Sequence, residues 1–338
     1  MKRIIPLCLA LIMTVGLLAG CGKQNEPAAS DETRLRVVTT IFPEYDWVRE
    51  ILGDKADNAE VTMLLDNGAD LHSYQPTADD IVKISECDLF IYVGGESDDW
   101  VDDALKNAAN KNMKVINLLE ALGERVKTEE VVEGMQEEEH DHEEEAEYDD
   151  AKEHDHEEEA EYDEHVWLSL KNAQTLCSAI SAVLQQIDPD NKDTYAANAS
   201  AYIKKLSALD ADYQAAVDAA ARKTVLFGDR FPFRYLAEDY GLRYYAAFAG
   251  CSAESEASFE TISFLAGKAD ELNLPCVLTI EGVQHKIAET IVRNTAAKNQ
   301  KVLTMDSMQS TTSKDAANGT TYLSIMERNL SVLKEALG

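Results

Sequence analysis

Short β-rich runs alternate with helix-forming stretches along most of this chain, and the alternation occurs twice. In the first half the runs are residues 35–40, 61–65, 88–93 and 115–118; in the second they are 224–228, 242–248, 276–280 and 302–305. Between them lie helix-like segments at 43–52, 78–86, 258–272 and 285–298. The second of these follows Thr77, whose hydroxyl can cap it, with Asp80 three residues on. Strands separated by helices build βα units, whose strands pair in parallel. The expected fold class is α/β, with two similar lobes that each hold a mostly parallel four-stranded sheet.

One segment joins the halves. Residues 193–222 contain neither Gly nor Pro, and Tyr195, Ala199, Tyr202, Leu206, Leu209, Tyr213, Val217 and Ala220 recur every three or four positions. That is a single stripe on one long helix. At ~1.5 Å per residue it spans ~45 Å, enough to brace a two-lobed molecule. The expected domains are an N-terminal α/β lobe over 34–190, a linking helix over 191–222 and a C-terminal α/β lobe over 223–338.

The N-terminus reads as an address. Lys2 and Arg3 precede an apolar run over 4–18, shorter than the ~20 residues a transmembrane helix needs. The run ends in Leu18-Ala19-Gly20-Cys21, which resembles the bacterial lipoprotein cleavage box. Residues 1–20 are therefore expected to be a signal peptide, Cys21 the lipidated residue, and 21–33 a polar tether. An extracytoplasmic protein anchored to the cell membrane follows from this.

The net charge of −32 is unevenly spread, because 129–164 holds twenty-one carboxylates and one lysine. What remains is ordinary for an acidic domain, and no basic footprint for nucleic acid exists. Residues 139–149 read EHDHEEEAEYD, and 153–163 repeat them letter for letter. So charged a segment lacks the aliphatic residues of a core, so 129–163 is expected to be a disordered insert. His140, His142, His154 and His156, ringed by carboxylates, suit zinc and suggest a weak secondary metal loop. Ordering a flexible loop costs ~1–2 kcal/mol per residue, which argues against the main site lying there.

Cys87, Cys177, Cys251 and Cys276 show no CxxC spacing, so a structural thiolate zinc site is disfavoured. A Cys251–Cys276 disulfide is open, with buried free thiols the preferred reading. The three histidines outside the insert are His72, His165 and His285. Asp229, Glu281 and Asp306 each follow a β run. Ligands of open parallel sheets bind beyond the strands' carboxyl ends. A cleft between lobes can gather these residues from both half-chains.

Several motifs now converge. Val38-Thr39-Thr40-Ile41-Phe42-Pro43, the G-x-D-x-H-x-Y-x-P-T pattern over 68–77, Asp163-Glu164-His165-Val166-Trp167-Leu168, the Y-L-A-x-x-Y-G-L pattern over 235–242 and Met305-Asp306-Ser307 all occur here. Together they resemble the zinc/manganese-specific solute-binding lipoproteins of ABC importers, the ZnuA-like group with its related metal-binding adhesins. The resemblance covers essentially the whole mature chain. It implies His72, His165 and Asp306 as metal ligands. It further implies Zn(II) as the bound solute, with Mn(II) the lesser option, and an ABC permease and ATPase as partners. No catalysed reaction is implied, and the receptor is read as a monomer. One departure matters. The family's third ligand, His or Glu, lies five residues before the tyrosine matched by Tyr235, and here that position is Arg230. A guanidinium cannot coordinate a cation. Asp229 is the expected substitute, with Glu281 and His285 as alternatives and a retained water as another. The competing functional readings are a lipid-anchored metal-dependent hydrolase and a metal-binding adhesin or buffer. The hydrolase lacks HExxH, GxSxG and P-loop motifs.

Overall fold

Parallel sheets need both faces covered, and the strand residues fit that need: Val37, Val38, Leu89, Phe90, Ile91, Leu226, Phe227, Val277 and Leu278 are all buried. The computed structural model describes residues 34–136, 161–252, 256–282 and 285–338. Its strands are β1 (Leu35–Thr39), β2 (Ala59–Met63), β3 (Leu89–Tyr92), β4 (Lys114–Asn117), β5 (Thr224–Arg230), β6 (Arg243–Phe248), β7 (Cys276–Thr279) and β8 (Lys301–Thr304). They form two four-stranded sheets in the orders β2-β1-β3-β4 and β6-β5-β7-β8. Every pairing between these strands is parallel. The two orders are the same pattern, so β5, β6, β7 and β8 occupy the places of β1, β2, β3 and β4.

The helices are α1 (Phe42–Leu52), α2 (Ala78–Glu86), α3 (Val101–Lys106), α4 (Leu118–Leu122), α5 (Leu170–Ile187), α6 (Lys192–Ala219), α7 (Arg234–Tyr240), α8 (Phe259–Glu271), α9 (Lys286–Asn294), α10 (Ser313–Ala317) and α11 (Tyr322–Leu337). Capping chemistry sets several starts. The Thr77 hydroxyl accepts from the Asp80 N–H at 3.2 Å while Asp80 accepts from the Thr77 N–H at 3.0 Å. Ser258 likewise accepts from the Thr261 N–H at 3.1 Å.

The linking helix α6 runs for 28 residues and buries Tyr195, Ala199, Tyr202, Leu206, Leu209, Tyr213 and Val217. Hydrogen bonds tie it to both half-chains: the Asn198 side chain donates to the Ile51 carbonyl at 3.0 Å and the Tyr213 hydroxyl to that of Met326 at 2.7 Å. Residues Leu35–Gly338 pack as one compact unit. One apolar core contains Trp47 and Phe90 from the first half, Trp167, and Phe227, Leu278 and Tyr322 from the second. α11 crosses the boundary drawn at residue 222. The Tyr322 N–H donates to Asp46 at 2.9 Å, and the Tyr322 and Trp47 rings stand 5.2 Å apart.

The insert corrects the sequence expectation at its ends. Residues 129–136 and 161–163 hold defined positions. Thr128 bridges Tyr162, the Glu129 N–H donates to the Glu161 carbonyl at 2.8 Å, and that of Gln136 to the Ala247 carbonyl at 3.0 Å. Backbone pairing and the buried Met135 and Asp163 order these flanks despite their charge. Residues 137–160, with His140, His142, His154 and His156, lie outside the described residues, as does Cys21.

At the start of α1 the fully buried Glu44 accepts from the Thr40 N–H at 2.8 Å, the Thr40 hydroxyl at 3.1 Å and the Ile41 N–H at 3.3 Å. Burial, then the nearby Asp98 charge, pushes its carboxyl from 4.5 up to about 8. A group that holds its proton more tightly when folded stabilises the fold fully at pH below 4.5, and this contribution is lost as pH rises through about 8. Glu44→Gln should therefore flatten the pH dependence of stability over that window, by up to ~1.4 kcal/mol per pH unit. Urea unfolding of the metal-free protein at several pH values checks this; profiles of wild type and variant that stay parallel would contradict the assignment.

Candidate metal centre

The loop after β2 is built to present His72. Asn67 accepts from the Ala69 N–H at 2.9 Å, Gly68 adopts φ 76°, and the Asp70 carboxylate accepts from the His72 N–H at 3.1 Å. Asp70 thereby caps a single 3-10 turn over Leu71–Ser73. The His72 Nδ1 lies 2.9 Å from the Ser97 hydroxyl and 3.4 Å from Glu164 Oε2. Burial disfavours the Glu164 charge, but bonds from His72 and Ser97 outweigh it and hold this carboxyl below its ordinary value.

The second imidazole arrives where the insert rejoins the fold. His165 is fully buried, and Asp163 accepts from its N–H at 2.9 Å and faces its Nδ1 at 3.0 Å. Each ring thus turns Nδ1 to a carboxylate, the arrangement that orients metal-binding histidines and frees Nε2. The two Nε2 atoms stand 3.3 Å apart. Two nitrogens bound to one tetrahedral zinc at ~2.0–2.1 Å would lie ~3.3–3.4 Å apart. The pair fits a shared zinc ion.

Among the described residues, the side chains whose potential ligand atoms lie within 4.8 Å of one another are His72, His165 and Cys251. Asp229 and Asp306 are not in this group. β5 continues through Asp229 and Arg230 with an irregular register after Phe227. Asp229 accepts from the Thr279 hydroxyl at 2.6 Å, and that hydroxyl also meets His285 Nδ1 at 3.1 Å. The carboxylate is therefore tied to its own sheet, away from the imidazole pair. Asp306 accepts from the Met308 N–H at 2.9 Å and lies 3.6 Å from the Arg328 guanidinium on α11. Neighbouring Glu281 accepts from the Ser307 N–H at 2.6 Å and hydroxyl at 2.7 Å. Burial raises both carboxyls, and the Asp306 charge adds to the rise of Glu281.

Arg230 takes a structural part instead of a ligand's. Its guanidinium pairs with Asp70 and donates to the Ser252 carbonyl at 3.3 Å. Burial works against the Asp70 charge, yet Arg230 prevails and holds that carboxyl low. A cavity of about 790 Å³ lies beside this pair, lined by Asp70 and His72 from one half and Asp229, Arg230, Glu281 and His285 from the other. The cleft between half-chains is thus real, though only part of the expected set reaches the imidazoles. Another cavity, of about 380 Å³, also borders His72 and is walled by Glu96, Glu129, Glu161, Glu164 and Cys251. Sequence reasoning missed Gln309. Its buried amide lies 3.1 Å from His165 Nε2 and beside the Asp70 carboxylate. All four cysteines after the tether are free; Cys87, Cys177 and Cys276 are buried, whereas Cys251 is half-buried.

Comparison with known proteins agrees with this architecture. The zinc-uptake complex component A family, ZnuA, matches residues 37–336. The high-affinity zinc uptake system protein ZnuA of Bacillus subtilis is 31% identical over 323 residues, 95% of this chain and 94% of its own. The zinc-binding lipoprotein AdcA of Streptococcus pneumoniae is 32% identical over 99% of this chain, which spans 61% of that longer protein. The crystal structure of the Zn(II)-bound ZnuA-like domain of S. pneumoniae AdcA superposes with a TM-score of 0.67, at 28% identity, over 90% of this chain and 99% of that domain. With the fold, the paired imidazoles and these likenesses in agreement, the chain belongs to the ZnuA family.

Proposed function

We propose that this protein captures Zn(II) in the cleft between its lobes, through His72 and His165, and delivers it to the permease and ATPase of an ABC importer. Lipid on Cys21 would hold it, as a monomer, at the extracytoplasmic face of the membrane. The observation that carries the reading is the imidazole pair, each ring oriented by a carboxylate and the two Nε2 atoms 3.3 Å apart. Zinc relatives and a zinc-bound structural neighbour support zinc as the solute. Receptors of this family bind and release a solute, so no catalytic residue is assigned. The histidines of the insert act in this proposal as a weak collector.

Calorimetric titration of the mature, metal-free chain with zinc tests the assignment. A variant lacking 137–160 should bind fewer ions yet keep the tightest one. The deletion is confined to those residues because Glu129 and Glu161 border the site. Loss of the tightest site from this variant would show that the insert supplies primary ligands.

A further inference from the structure

Two imidazoles leave a tetrahedral zinc short of ligands, and the family's third position cannot contribute. Arg230 fills that position, and its guanidinium is already engaged by Asp70 and the Ser252 carbonyl. The same contacts have a second effect. Asp70 belongs to the loop that carries His72, and Ser252 follows Cys251, so Arg230 draws the two loops together over His165.

Topology explains why a ligand can come from there. β2 and β6 hold the same place in their respective sheets. His72 lies in the loop after β2, and Cys251 in the loop after β6. The equivalent edges of the two lobes therefore present one side chain each to the same space. The Cys251 backbone is held there: its N–H donates to Glu129 at 2.9 Å. Gly250 sits so tightly on His165 that a Cβ would come within 3.1 Å of ring atoms Cε1 and Nδ1. Meanwhile the two Nε2 atoms stand 3.3 Å apart, a spacing that a shared cation fits.

We propose that Cys251 Sγ is the third protein ligand of the zinc site, closing it with His72 and His165 in place of the ligand that Arg230 cannot supply. The inference rests on the zinc-receptor reading above and deepens it by naming a further ligand. Three ligand atoms within 4.8 Å of one another need to draw in only modestly. Bonds of ~2.0–2.1 Å to nitrogen and ~2.3 Å to sulfur put neighbouring N and S atoms ~3.5 Å apart around a tetrahedral ion. On coordination the S–H bond gives way to an S–Zn bond and the proton leaves to water. A thiolate also makes the site softer than one of imidazoles and carboxylates, favouring zinc over manganese.

The test uses the mature full chain, stripped of metal and titrated with Co(II) as a spectroscopic stand-in and with Zn(II) and Mn(II). Wild type should show a sulfur-to-cobalt charge-transfer band that Cys251→Ser lacks, with circular dichroism unchanged. Zinc affinity of Cys251→Ser should fall at least ~10-fold, since even residues behind the ligands typically cost 10–100-fold. Its preference for zinc over manganese should narrow. Cobalt bound by wild type without that band, together with undiminished zinc affinity in Cys251→Ser, would overturn the proposal and leave the zinc-receptor reading standing. Failure of wild type to bind either zinc or cobalt would instead remove that reading, and this proposal with it.

Discussion

His165→Ala should abolish tight zinc binding while leaving the fold in place. The side chain is fully buried, so no solvent-exposed residue can swing in to replace it. Its Nε2 is one of the two atoms at tetrahedral spacing. Removing a residue that merely orients a ligand typically costs 10–100-fold, and removing a ligand should cost at least ~100-fold, about 2.7 kcal/mol. Asp163 keeps its bond from the backbone N–H of residue 165, so the carboxylate is not stranded by the truncation. Calorimetric zinc titration alongside circular dichroism checks both halves of the statement. A variant that binds zinc as tightly as wild type would show that the imidazole pair is not the site.

The largest loss of stability is expected from Trp167→Ala, two residues along. Trp167 is fully buried, its ring centre lies 5.2 Å from that of His165, and its indole N–H donates to the Ser307 carbonyl at 2.9 Å. The Tyr322 hydroxyl donates in turn to the Trp167 carbonyl at 2.7 Å. One residue thus joins the His165 segment to the loop after β8 and to the start of α11. Truncating a buried Trp to Ala costs about 3–5 kcal/mol through lost contacts and the cavity left behind. Trp167→Phe refills part of the space but leaves the Ser307 carbonyl without its donor, at a cost of about 1–3 kcal/mol. Urea unfolding of the metal-free proteins ranks the two. A loss below about 1 kcal/mol for the alanine variant would mean that the half-chains are held together elsewhere.

Much of the architecture could be read before any coordinate. Each of the eight strands falls on an expected run, and α2 begins at the Thr77–Asp80 box because capping is local chemistry. The stripe from Tyr195 to Val217 lies buried on α6 for the same reason, since a three-to-four spacing defines a face whatever the rest of the chain does, while Ala220, the last position expected on it, falls just past the helix end. Strand ends were less legible. β5 runs on through Asp229 and Arg230, past Gly228, where a Cβ would meet the Ala288 backbone at 2.5 Å. Only the approach of α9 makes that glycine necessary, and the irregular register there decides where Asp229 points.

The sequence by itself determined the fold class and the long linking helix and pointed to two histidines that the fold brings together, because periodicity, caps and a tight motif act over a few residues. The tertiary structure alone decided which other side chains share the imidazoles' space. Asp229 and Asp306 have the right chemistry and lie at strand ends, yet Thr279 and Arg328 claim them within their own half-chain. Arg230, unfit as a ligand, became the tie between the His72 and Cys251 loops. Cys251 carried no spacing that could announce it. Its place beside the imidazoles follows from its loop after β6, the counterpart of β2 in the other sheet, a relation between residues 179 positions apart that no local pattern encodes.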